Sequence, residues 1–101
     1  MNLKQQEIER NFPFAESCDT VCIVCKHIVN GERPILFVSH DEDDGMWQFL
    51  CGKSHGTDDA KVVALGEMFA LDPSIGELTK MPWGYQATRD KVDSTWVIRK
   101  Q

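Results

Sequence analysis

Four cysteines and three histidines are the side chains of this sequence best suited to chemistry, and their spacing invites a metal reading. Cys22-x-x-Cys25 and Cys51-x-x-x-His55, with Cys18 and His27 close by, supply enough sulfur and nitrogen for a tetrahedral zinc site. The opposing reading is geometric. Positions three apart on a regular strand face opposite sides, so Cys22 and Cys25 converge only where the backbone turns sharply, and no glycine lies between them. On that reading Cys22, Cys25 and Cys51 are small buried apolar residues, a common use of free cysteine. A small adaptor domain with zinc on Cys22, Cys25, Cys51 and His55 stands as the alternative.

A nucleophilic site would pair one cysteine with His27, His40 or His55 as base and take an orienting acid from Asp41 to Asp44. Nothing in the spacing selects one combination, so no catalytic residue is assigned and the chain is not read as an enzyme. Asp41-Glu42-Asp43-Asp44-Gly45 is rich in oxygen ligands, but a calcium loop counted from Asp41 needs glycine and glutamate where Met46 and Gly52 stand. The glycines Gly31, Gly45, Gly52 and Gly56 are scattered among turns and form no phosphate cradle.

The elements that must position these groups are readable in outline. Residues 1–17 form a polar N-terminal leader, with Phe12 and Phe14 around Pro13 expected to dock on the body. Residues 18–101 form a single α+β domain. Thr20 to Val29 has the composition of a buried strand, and Asn30-Gly31 carries the signature of a tight hairpin. Pro34 to Ser39 and Trp47 to Cys51 read as two further strands, the last with Trp47, Phe49 and Cys51 on one face. Short turns between three consecutive strands predict an antiparallel β-meander of three to five strands. One main helix over 58–71, with Val62, Leu65 and Phe69 along one stripe, covers one face of it. Asp72-Pro73 predicts a capped, short helical piece to Leu78, and the tail from Tyr85 is open between strand and helix.

At 101 residues, with 42% hydrophobic and 27% charged side chains, the chain is sized for one ordinary globular core. No apolar run approaches the roughly 20 residues of a membrane span, and no secretory apolar segment is present, so the cytoplasm is the expected location. Eleven basic and sixteen acidic residues argue against nucleic acid as partner. The acids are unevenly spread: six of them (Asp41, Glu42, Asp43, Asp44, Asp58, Asp59) lie between 41 and 59 with one base, Lys53, while the remainder balances. Such an edge steers a basic protein partner. Trp83 and Tyr85 share a loop too short to hide two large rings, so an exposed aromatic anchor is expected there. Asp41, Glu42, Asp43, Asp44, Trp83 and Tyr85 are therefore the candidate partner-binding residues.

Glu32 to Asp41 and above all Asp44-Gly-Met-Trp47-Gln-Phe-Leu-Cys51-Gly52, an acidic stretch leading into a Trp-x-Phe-Leu-x-Gly strand, resemble small bacterial proteins once catalogued only as a domain of unknown function. That group is the immunity protein 33 family of polymorphic toxin systems. Asp58, Asp59, Leu71-Asp-Pro-Ser-Ile75, Pro82, Gly84, Arg89 and Asp90 continue the resemblance, which spans about Cys22 to Trp96. It implies a cytoplasmic protein that blocks a toxin domain by binding it, without catalysis. Inhibitors of nucleases in particular profit from acidic surfaces, because their targets carry basic clefts built for phosphate.

Overall fold

The computed structural model describes residues 13–52 and 59–101. Among these, six strands form one sheet: β1 (Val21–Cys25), β2 (Phe37–His40), β3 (Trp47–Leu50), β4 (Ala60–Ala64), β5 (Tyr85–Thr88) and β6 (Val97–Lys100). Two helices, α1 (Lys26–Val29) and α2 (Leu65–Leu71), and a 3-10 segment, Pro73–Leu78, complete the elements. The expected α+β class is what the chain adopts. The expected antiparallel meander is not, because the strand order is β4-β1-β3-β2-β5-β6 and β1 runs parallel to β3.

The cause lies at Asn30-Gly31. A two-residue hairpin of the expected type needs positive φ at both central residues, but Asn30 sits at φ −81 and only Gly31 is left-handed, at φ 76. Here the pair ends a helix. Gly31 N–H donates to Ile28 O (3.0 Å) and Glu32 N–H to His27 O (2.8 Å), the two bonds of a Schellman cap on α1. The chain leaves the sheet after Cys25 and returns as β2, two strand positions away. β3 then fills the gap, antiparallel to β2 and parallel to β1, with Val24 opposite Phe49 and Val38 opposite Phe49 from the other side.

The main helix is shorter than the period suggested. Ala60–Ala64 is a strand, paired residue for residue with Val21–Cys25, and α2 begins only at Leu65. Two β-branched residues, Val62 and Val63, favour the extended form beside the buried β1, and that edge position outweighs the helical stripe. Leu65 and Phe69 do face the core, but Val62 is 65% exposed. Asp72-Pro73 behaves as read: the Asp72 carboxylate accepts from Ser74 N–H (3.1 Å) and Ser74 Oγ (2.6 Å), capping the 3-10 segment. The tail resolves as strand, with β6 antiparallel to β5.

Register fixes the two faces. Cys22, Val24, Val38, Trp47, Phe49 and Ala87 alternate onto one side and join Leu65, Met68, Phe69, Ile75, Leu78 and Met81 in a single core. Phe14 belongs to it, edge-on to Trp47 at 5.2 Å, while Glu16 accepts from Trp47 Nε1 (3.0 Å). Phe14 and Glu16, within the expected leader, thus pack on the domain; Phe12 lies outside the described residues. Arg89, also buried, braces the layer beneath the 3-10 segment: Nε donates to Ile35 O (3.0 Å), the terminal nitrogens to Ser74 Oγ, Val92 O and Asp72 Oδ2, and the guanidinium lies 4.1 Å from the Trp96 ring. No helix among the described residues is long and apolar enough to cross a membrane.

Candidate functional site

Two groups of side chains gather polar and thiol chemistry, one at each end of the central strands. The first is built on the β2-β3 turn. Asp41 N–H donates to Met46 O (2.8 Å), Gly45 N–H to Asp41 O (2.9 Å), and the Asp44 carboxylate accepts from Met46 N–H (2.9 Å), so the turn is tied at three points. Asp41 is committed inward, accepting from Ser39 Oγ (3.0 Å) and from Gln48 Nε2. Glu42, Asp43 and Asp44 are exposed.

A second loop lies against this turn. Gly84 N–H donates to His40 O (2.7 Å), and the two loops interlock through glycines. A methyl group at Gly45 would come within 3.4 Å of the Trp83 indole, and one at Gly84 within 3.3 Å of Glu42 Oε2. Trp83 is thereby seated on the turn backbone while 63% of it stays exposed. All six expected partner-binding residues, Asp41, Glu42, Asp43, Asp44, Trp83 and Tyr85, lie at this end, Tyr85 half-buried in β5 opposite His40. The 41–59 window is not one edge, however. Asp59 precedes Ala60, the partner of Cys25 at the far end of the sheet, where it pairs with Lys26 Nζ (3.1 Å). Asp58 lies outside the described residues.

That far end holds the second group. Cys25 closes β1, His27 sits in α1 and Cys51 follows β3, and one donor atom from each lies within 4.8 Å of the other two. Cys51 Sγ is 3.9 Å from His27 Nδ1, and Arg33 donates to the same sulfur over 3.8 Å. Burial pushes the Cys25 thiol up, opposed by N–H groups of Ile28 and Cys51 and reinforced by the neighbouring Cys51 thiol. Cys22 faces the other way, as residues three apart on a strand must. Its Sγ–H donates to Val63 O (3.2 Å), and burial, with the Glu67 charge second, pushes its pKa up to about 12. Of the expected zinc ligands, Cys25 and Cys51 meet, Cys22 is held apart from them, and His55 lies outside the described residues.

His27 was not among the favoured ligands. A signal for it existed: Cys25 and His27 are two apart, a spacing that shares a face on a strand, but it carries weight only once Cys51 is known to arrive beside them. His40 is buried, with its ring stacked 3.9 Å from Trp47, its Nδ1 2.8 Å from Met81 O and Glu16 3.6 Å from Nε2. A cleft of about 420 Å³ between residues 28–35 and Leu71, Asp72 and Val92 is lined by no thiol or imidazole. No family model, no curated protein and no solved structure matches this chain.

Proposed function

We propose that this chain is a non-enzymatic protein-binding domain, an immunity-like inhibitor that docks a basic toxin domain in the cytoplasm through its β2-β3 turn and Trp83. The observation that carries the reading is an indole left 63% exposed against Gly45, in a loop interlocked with three exposed acids. Aromatic rings of this kind are the usual anchors of interface hot spots, and flanking charges set approach and orientation. Hydrogen bonds already hold the turn, so binding need not order it. The resemblance of Asp44 to Gly52 to the immunity protein 33 family supplies the class of partner.

The test is co-expression with any toxin domain found encoded beside this chain's gene. The parent chain protects the cell, and the variant carrying Glu42→Lys, Asp43→Lys and Trp83→Ala does not. Undiminished protection by that variant overturns the reading.

A further inference from the structure

We propose that Cys25, His27 and Cys51 form a binding site for a zinc-class divalent cation. Two thiolates and one imidazole are a donor set suited to this borderline-soft ion, and in a tetrahedral site they leave the fourth position to water. The dimensions are close. With metal-sulfur bonds of about 2.3 Å and metal-nitrogen bonds of about 2.0 Å, donors around a tetrahedral ion lie roughly 3.5 to 3.8 Å apart. Cys51 Sγ and His27 Nδ1 are already at 3.9 Å, and no pair in the set exceeds 4.8 Å, so rotamer shifts of well under a bond length complete the site.

The backbone supporting these donors is constrained independently of any ion. Cys25 ends a strand paired on both sides, Cys51 follows a strand paired on both sides, and His27 is part of the turn fixed by the Gly31 cap. Arg33 supplies an outer contact, its guanidinium donating to Cys51 Sγ, which favours the anionic sulfur that a metal requires. Binding converts two thiols and a neutral imidazole into two thiolates and a metal-bound imidazole, and two protons pass to solvent. The two thiolate charges cancel the cation, so the loaded site is neutral and compatible with the burial of both sulfurs. This inference does not depend on the protein-binding reading, since the site lies at the opposite end of the sheet.

Titration of the full-length, reduced protein with cobalt(II) alone tests it. The expected result is the visible spectrum of tetrahedral cobalt with a near-ultraviolet thiolate charge-transfer band, saturating at one ion per chain and bleached by zinc. Cys51→Ser and His27→Gln each weaken cobalt binding by more than the 10- to 100-fold that loss of an outer contact costs, and Cys22→Ala leaves it within about twofold. Circular dichroism of the apo variants separates loss of ligand from loss of fold; His27, half-buried on a single helical turn, is the variant least exposed to the second. Absence of the tetrahedral spectrum, undiminished binding by folded His27→Gln, or a Cys25-Cys51 disulfide formed in preference to metal uptake overturns the proposal.

Discussion

At the scale of single residues, Arg89 and Cys22 show the same burial acting on opposite chemistry. The Arg89 guanidinium is accommodated inside the protein because it meets three oxygen acceptors besides the Asp72 carboxylate and lies over the Trp96 ring. Removing one side of a buried, hydrogen-bonded ion pair costs about 3 to 5 kcal/mol, a large share of the roughly 5 to 15 kcal/mol that holds a domain folded. Arg89→Met is therefore expected to lower the unfolding free energy, read by urea denaturation, by that much. Arg89→Lys recovers only part of the loss, since a point ammonium cannot span the fork of acceptors. Cys22 carries no charge, and its burial keeps it so up to about pH 12, whereas a thiol in the unfolded chain ionises near 9.0. The sign follows directly: above the unfolded value the unfolded state binds fewer protons, so this thiol's contribution is complete below pH 9.0 and declines toward the folded value. Denaturation at successive pH values from 8 to 11 should show Cys22→Ala with a shallower loss than the parent, by up to about 1.4 kcal/mol per pH unit. Equal slopes would remove the buried-thiol account.

At the scale of elements, what the sequence made legible is what local chemistry decides. Trp47 and Phe49 alternate inward as read because a strand with one buried face allows no other phase, whereas Cys51, past the end of β3, turns to meet Cys25. The Asp72-Pro73 cap is equally local. Asn30-Gly31 and Val62 were misleading for one shared reason: each is compatible with two elements, and a partner far along the chain chooses between them. Asn-Gly serves a hairpin or a helix cap, and here α1 takes it as a cap. Val62 fits the stripe Val62-Leu65-Phe69, yet the open edge of β1 draws it into β4. The Gly31 cap makes a quantitative prediction. A Cβ there meets no atom within 4 Å, so Gly31→Ala introduces no clash and its cost is purely the left-handed backbone, about 1 to 2 kcal/mol. Gly31→Asn should cost distinctly less. Thermal or urea denaturation reads both, and equal costs for the two substitutions would mean that something other than φ sets the penalty.

At the scale of the whole molecule, the sheet order does what no local pattern announces. Parallel pairing of β1 with β3 brings Cys51 beside Cys25 and His27, and the β2-β5 pairing brings Trp83 onto Gly45. Residue types in both places were readable from the sequence, but their company was not, because it depends on contacts between segments tens of residues apart. The same arrangement divides the acids between the two ends of the sheet, leaving Glu42, Asp43 and Asp44 together at the tryptophan end. A basic partner approaching the proposed surface should therefore be steered by that turn, with a rate that depends on salt. Stopped-flow association is expected to slow by about tenfold or more between roughly 0.05 and 0.5 M salt. Glu42→Lys with Asp43→Lys should lower the association rate at low salt and flatten that dependence. Trp83→Ala should act instead on dissociation, raising it by the equivalent of about 2 kcal/mol, the loss expected of a central aromatic anchor. On the proposed reading this separation distinguishes the two parts of the surface: charge at the turn would govern how often the partner arrives, and the indole how long it stays. An association rate insensitive to salt, with Trp83→Ala and the charge reversals changing the same rate constant, would place the interface elsewhere on the molecule.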